Sequence, residues 1–203
     1  MAVPLNLSSR MYCDEADITT RIDITNLPTV NLEYLIRVAT ARIELETGRV
    51  FQRVPATEAE TETRHFLGNG LTMLPIDDLL TLSSLTIDDD EEDTDDFLCM
   101  PFGKTPTTWL EFADPTAWWY PGYARGTWPL RADVAITGGW GYSEDVPWEI
   151  WDSCVALVVR ALGRAKTAYQ DASAIPELGE MIYAKALPPD VAKVLSLKRK
   201  SNL

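Results

Sequence analysis

Histidine is almost missing from this chain, with one residue, His65, among 203. Imidazole is the side chain that most often serves as an acid, a base or a metal ligand near neutral pH, so few routes to such chemistry remain. Cysteine is also scarce: three residues are widely spaced and form no Cys-x-x-Cys pair. We therefore expect neither a disulfide framework nor a zinc site, and we expect a reducing compartment.

Basic residues are outnumbered, with 18 Lys and Arg against 31 Asp and Glu, for a net charge of −13. Binding of DNA by the whole surface needs a basic footprint, so this balance argues against it. Long apolar runs are missing too. The longest, residues 154–159, is far too short to span a bilayer, so no membrane partner is expected.

The charge is unevenly distributed along the chain. Residues 88–96 contain eight acids in nine positions, and the residues after Asp190 contain four bases and no acid. We predict an exposed acidic loop and a basic tail that face different partners; a solvated loop and a frayed terminus are the alternative. An EF-hand loop needs glycine where this run has Asp93, so specific calcium binding is not expected. The acids of the predicted loop are Asp88, Asp89, Asp90, Glu91, Glu92, Asp93, Asp95 and Asp96.

Hydrophobic spacing predicts two main helices and a β-rich middle. Apolar residues at helical spacing predict a helix over 30–47, ended by Gly48. Residues 61–67 and 71–74 are predicted to form a hairpin, and 79–87 and 130–137 to be strands. A longer apolar stripe predicts a helix from Pro147 to about Tyr169, buried around most of its girth. Its predicted core residues are Trp151, Val155, Val158 and Leu162.

The resulting fold class is α+β. We expect mainly a helical bundle around a long central helix, with a β-rich middle inserted between the first and the central helices. The chain is predicted to be one domain over 1–203. Its parts are a first helix region at 17–51, the β-rich and loop-rich middle at 57–137, the central helix at 145–170, and C-terminal helices with the basic tail at 177–203, one of them at about 177–186.

The sequence contains few residue patterns that are typical of catalysis. Ser143 and Ser153 lack a Gly-x-Ser-x-Gly context, and His65 has no Cys or Asp at ligand spacing in the sequence. We expect no enzyme activity, catalytic residue, metal or cofactor; a metal-dependent hydrolase is the weaker alternative. Residues 97–130 are rich in aromatics and proline, which is typical of a long loop pinned to a sheet and, less often, of a site for bases or sugars.

Two ordered motifs carry a family resemblance. Residues 44–51, Glu-Leu-Glu-Thr-Gly-Arg-Val-Phe, resemble the "E-x-x-T-G-R-x-F" helix end of phage head–tail connector proteins. Residues 129–147 resemble their "P-x-x-V-x-I-T-G-x-x-G-Y-x-x-V-P" segment. A long apolar helix with Arg160 and Arg164 and a Pro-Pro-Asp-Val element follow in the same order. The similarity spans about residues 17–200, although the acidic run and the aromatic-rich loop are longer than usual, and no Pro-Tyr precedes the last arginines.

The resemblance implies a structural subunit in the neck of a virion, assembled in the host cytoplasm. Such subunits form a ring, commonly of twelve copies, that docks on the portal protein, extends its DNA channel and supports downstream neck or tail-completion proteins. DNA passes through without specific binding. Twelve copies at −13 carry about −156, which would repel phosphates and oppose assembly in solution until the portal supplies compensating contacts.

The C-terminal segment is the predicted portal contact in that setting. It has a short apolar edge and a basic end, which would suit an acidic groove between portal subunits. Two alternative functions remain: a stopper or tail-completion protein, expected to be richer in β-structure, and an acidic module that binds a ligand through the aromatic-rich loop. The predicted contact residues are Val191, Val194, Leu195, Lys198, Arg199 and Lys200.

Overall fold

The computed structural model describes residues 10–22, 31–57, 59–114, 126–166, 172–175, 180–183 and 187–200. The chain divides into two compact units. The helical unit combines Met1–Gly48 with Val146–Lys200, and the sheet unit contains Arg49–Asp145.

An antiparallel sheet of six strands dominates the sheet unit. The strands are β1 (Glu62–Leu67), β2 (Met73–Ile87), β3 (Asp90–Glu92), β4 (Phe97–Met100), β5 (Thr107–Phe112) and β6 (Asp133–Trp140). Their order in the sheet is β1-β6-β2-β5-β4, and β3 pairs with the end of β2.

Strand β2 is the longest and changes partners along its length. Its first part pairs with β5, and its second part, from Leu79 onward, pairs with β6. Register shifts next to Leu79 allow the change, as bulges do. Pro75 pairs with Trp109 of β5, but β6 does not pair with β2 at that position, so the strand has a neighbour on one side only, as an edge strand does. The predicted hairpin of 61–67 with 71–74 is wrong, because β1 pairs with β6.

The core of the sheet unit combines residues that are distant in the sequence. Phe97, Phe112 and Trp128 form an aromatic group with ring centroids 4.8 to 5.4 Å apart. Trp128 is fully buried, and its indole N–H donates to the carbonyl of Leu110. The remaining buried members of this core are Leu74, Ile76, Leu79, Leu85, Ile87, Leu110, Ala132, Val134, Ile136 and Trp140.

Helix ends in the helical unit follow the local sequence. Asp14 and Asp17 form a reciprocal capping box at the start of α1 (Glu15–Arg21), and the Asn31 side chain accepts from the Tyr34 N–H at the start of α2 (Leu32–Thr47). Gly48 closes α2 in the left-handed region, at φ 67°. The elements of this unit are α1 (Glu15–Arg21), α2 (Leu32–Thr47), α3 (Trp148–Lys166), β7 (Ala172–Ile175), β8 (Glu180–Tyr183) and α4 (Pro189–Lys198).

Packing in the helical unit centres on one face of α3. Val155, Val158 and Leu162 are fully buried, whereas Trp151 is half-buried and donates its indole N–H to the Asp17 carboxylate at 2.9 Å. The other buried residues of this unit include Ile18, Ile36, Ile43, Ile150, Cys154, Val191 and Leu195. Within the described residues, no helix is both long and apolar enough to cross a membrane.

The expected fold class is wrong. The structure is mostly an antiparallel sheet of six strands with a few short helices, and not a helical bundle around a long central helix. The helical stripe in 147–169 is a local signal, whereas the sheet core joins residues up to 66 positions apart, which leave no local period. The short helix expected at about 177–186 is also wrong, since 180–183 pairs as a strand with 172–175.

Candidate interaction surfaces

The motif at residues 44–51 ends one helix and begins the sheet unit. The Thr47 hydroxyl is buried and donates to the carbonyl of Ile43, and Gly48 then reverses the chain. Arg49 follows and forms an ion pair with the buried Asp78, with an N–O distance of 2.6 Å. The backbone N–H of Gly141 donates to the carbonyl of the same Asp78. The acid on β2 therefore ties together the two motifs that carry the family resemblance.

Aromatic packing joins the same two motifs. The rings of Phe51 and Tyr142 lie 5.3 Å apart, and the Arg49 guanidinium lies 5.3 Å from the centre of the Tyr142 ring. The N–H of Tyr142 donates to the carbonyl of Val50. Residues about 90 positions apart thus form one structural junction, and the arrangement is one of packing rather than of catalysis.

The second motif needs glycine at positions 138 and 139 because a larger side chain would not fit there. Arg53 is 5% exposed and reaches between Glu144, at 2.8 Å, and the Thr81 hydroxyl, at 3.2 Å. A Cβ at Gly139 would collide with the Arg53 guanidinium, and one at Gly138 would collide with the carbonyl of Thr81. The Thr-Gly-Gly segment therefore makes room for a buried arginine.

The one histidine of the chain pairs with a carboxylate at the surface of the sheet unit. His65 is exposed on β1, and its Nδ1 lies 2.9 Å from a carboxylate oxygen of Asp133 on β6. Among the described residues, no three His, Cys, Asp or Glu side chains are placed to hold a metal ion.

The acidic run, residues 88–96, is a hairpin rather than an irregular loop; we call it the acidic hairpin. Asp88 and Asp89 have φ values of 51° and 71° and form a two-residue turn between β2 and β3. Most of its carboxylates are exposed, and Glu92 and Asp96 are half-buried. Burial, followed by repulsion from Asp90 and then Asp96, raises the pKa of Glu92 above its ordinary value.

The predicted portal-contact segment is the helix α4, which packs against α2 and α3. Val191 and Leu195 are each 3% exposed, so these two side chains belong to the core of the helical unit and do not face outward. Val194, Lys198 and Lys200 are half-buried, and Arg199 is exposed. The Lys200 N–H donates to the carbonyl of Thr47, which anchors the basic end at the C-terminus of α2. Arg199 is therefore the most accessible of the six residues.

Helices α2 and α3 form a groove that sequence reasoning did not find; we call it the arginine groove. Arg42 from α2 and Arg160 and Arg164 from α3 line it together with apolar side chains, among them Val38 and Leu157. Arg160 and Arg164 are four positions apart and so share a helix face. That spacing could have been noticed in the sequence, whereas no local pattern indicates that Arg42 lines the same groove.

The aromatic-rich region contributes mainly to the core where the structure describes it. Trp128 and Phe112 are buried, and Trp109 is half-buried with its indole N–H on Glu111. The other aromatics of the predicted ligand loop, at 118–120 and 123, lie outside the described residues.

Comparisons with known proteins give little further information. No protein-family model matches the chain, and a search of curated proteins found no significant match. One matching solved structure is described as the neck of an empty GTA particle computed with C6 symmetry. A chain of that structure shares 17% identity with this one, over 85% of this chain and 78% of its own length, with a TM-score of 0.49. At this score, the similarity carries no argument about function.

Proposed function

We propose that the chain is a structural head-to-tail connector subunit of a tailed phage or phage-like particle, with no catalytic activity. In this role it forms a ring, with twelve copies as the expected number, beneath the portal protein. The ring continues the DNA channel and provides the platform for the next neck or tail protein.

The junction of the two motifs is the observation that carries the proposal. The residues that resemble connector proteins are not scattered over the surface: Arg49 pairs with Asp78, and Phe51 packs on Tyr142. The resemblance therefore involves residues that build the fold together, which is what a shared architecture requires. The net charge of −13 suits a channel wall that DNA must pass without binding.

A second candidate, a stopper or tail-completion protein, is favoured by one observation. The six-stranded sheet makes the chain richer in β-structure than expected for the adaptor, and a stopper was expected to be the more β-rich of the two. The ligand-binding alternative loses support because Phe112 and Trp128 are buried in the sheet core.

The test is co-sedimentation of the purified chain with purified portal protein. We expect direct binding in a fixed ratio, and native mass spectrometry should give one copy of the chain for each portal subunit. A chain that joins the neck only after another protein has bound the portal would support the stopper. A chain that binds neither portal nor neck would contradict both candidates.

A further inference from the structure

The arginine groove brings cations together in a chain that has few. Its three arginines lie among apolar side chains in a groove between α2 and α3 that is partly open to solvent. Arg42 and Arg160 are half-buried, so their charges lie at a partly dehydrated surface. A cationic site with apolar walls suits a ligand that offers carboxylates and apolar side chains together.

An exposed apolar stripe extends the groove along α2. Tyr34, Val38 and Leu45 are 48%, 36% and 83% exposed. At 100° per residue, these three positions fall within about 40° of one another on the helix, and Val38 also lines the groove. Large apolar side chains grouped in this way are a common mark of a protein–protein contact.

One end of the sheet unit carries the complementary chemistry. At this end Asp133 pairs with Leu67 and exchanges hydrogen bonds with Asp88, the first residue of the acidic hairpin. Leu67, Leu71 and Leu130 are 66%, 62% and 56% exposed there, and the segments that hold them are joined by backbone hydrogen bonds. We call this surface, exposed leucines beside the acidic hairpin, the acidic sheet end.

We propose that the acidic sheet end of one copy binds the arginine groove of the next copy. Charge complementarity within one sequence favours a second copy as the occupant. The sheet unit has 18 acids and 6 bases, a net charge of −12, whereas the helical unit has 13 acids and 12 bases, a net charge of −1. Both surfaces also expose aliphatic side chains. A small ionic ligand would leave these side chains in water, whereas a protein surface that exposes aliphatic side chains of its own can cover them.

The contact is head-to-tail, because it joins two different surfaces of the same chain. Such heterologous contacts generate a closed ring when the rotation from one copy to the next adds up to a full turn, and an open filament when it does not. The inference rests on the proposed ring and names the contact that would build it. It also explains how copies with a net charge of −13 associate, since the contact places acids on arginines.

Disulfide trapping between copies tests the contact even when it is weak. The variant Val38→Cys/Glu91→Cys places one thiol at the groove and one on the acidic hairpin. Since a disulfide needs Cα atoms within about 7 Å, mild oxidation should link only copies that meet through these surfaces. The matched control is Val38→Cys/Glu60→Cys, whose second thiol lies at an exposed position just before β1, at the opposite end of that strand from Leu67. The unmodified chain shows how much cross-linking arises from the native cysteines, Cys13, Cys99 and Cys154.

We expect a ladder of covalent multimers beyond the dimer on a non-reducing gel for the first variant and not for the control. A mixture of the two single variants should give heterodimers and no ladder. Adding Arg160→Glu should lower the cross-linked fraction at least about tenfold, and adding Asp95→Lys to that variant should restore part of it. Arg42→Glu replaces Arg160→Glu if the latter lowers the melting temperature.

Several results would overturn the inference: no cross-link above background, a ladder of equal strength in the control, or no response to charge reversal. A product that stops at the dimer would indicate a two-fold symmetric contact. An internal disulfide in the monomer would indicate contact within one chain. Binding of a short DNA duplex to the groove without any ladder would assign the arginines to phosphate. The ladder needs no portal, so its failure is distinct from failure of portal binding.

Discussion

The two units of this protein differ in charge more than in size. The sheet unit carries −12 of the net charge of −13, and the helical unit is close to neutral. Each unit nevertheless has a well-buried core, centred on Trp128 in one and on Val158 and Leu162 in the other. The charge is therefore a property of the surface rather than of the fold.

The largest expected effects come from the two cores. Trp128→Ala should lower the free energy of unfolding by about 3–5 kcal/mol, because it removes the centre of the aromatic group in the sheet unit. Leu162→Ala should cost about 2–5 kcal/mol in the helical unit. Urea unfolding followed by circular dichroism measures both.

Leu197→Ala is the control for the core substitutions, since this side chain is 75% exposed on α4. Its effect should stay within about 0.5 kcal/mol. If Leu162→Ala also changes the free energy of unfolding by less than about 0.5 kcal/mol, the described packing of α3 is wrong.

The next largest loss of stability is expected where the two motifs meet, at the ion pair of Arg49 with Asp78. Arg49→Ala removes the ion pair with the buried carboxylate of Asp78 and should cost about 3 kcal/mol. Adding Asp78→Asn should recover part of that loss, because a neutral amide is less costly to bury than a carboxylate that has lost this ion pair. Thermal melts of the two single variants and the double variant measure the coupling. Additive losses would contradict a direct interaction.

A smaller effect should appear in the acidic hairpin. Because the fold raises the pKa of Glu92, the folded state holds this proton to a higher pH than the unfolded state. The Glu92 contribution to stability therefore falls as pH rises from about 4.3, the ordinary pKa of glutamate. Glu92→Gln should raise the melting temperature at pH 7 and have no effect at pH 3. Equal melting temperatures at pH 7 would contradict a raised pKa.

The last prediction concerns the rates at which the three cysteines are alkylated. Cys13 lies 3.5 Å from Cys154, sulfur to sulfur, and this contact and burial both raise the pKa of Cys13. The thiol should therefore resist alkylation at neutral pH, as should the fully buried Cys154, until the helical unit opens. Half-buried Cys99 in the sheet unit should react first. Mass spectrometry of iodoacetamide-treated protein gives the order, and early labelling of Cys13 would contradict it.

The helices were easier to predict than the sheet because their signals are local. A helix was expected over 145–170, and α3 spans Trp148–Lys166, since the apolar stripe repeats every three to four residues. The strand order depends on pairings such as Glu62 with Gly138, which no local pattern reveals. The second strand of the predicted hairpin was expected over 71–74, whereas β2 continues through Pro75 to Ile87.

The candidate surfaces were predicted in part. The acidic residues were evident from composition, but the turn at Asp88 and Asp89 was not, since glycine or asparagine usually supplies positive φ there. The arginine groove needs Arg42 to face Arg160, which depends on how α2 packs on α3. Charge can be counted in a sequence, whereas the surface that it forms depends on tertiary packing.

Imaging of the chain mixed with purified portal protein tests the central claim most directly. Electron microscopy should show one additional ring, coaxial with the portal, with an open channel along the shared axis. The Val38→Cys/Glu91→Cys variant should lock that ring covalently. Portal particles without an added ring, with the chain remaining monomeric in solution, would contradict the account.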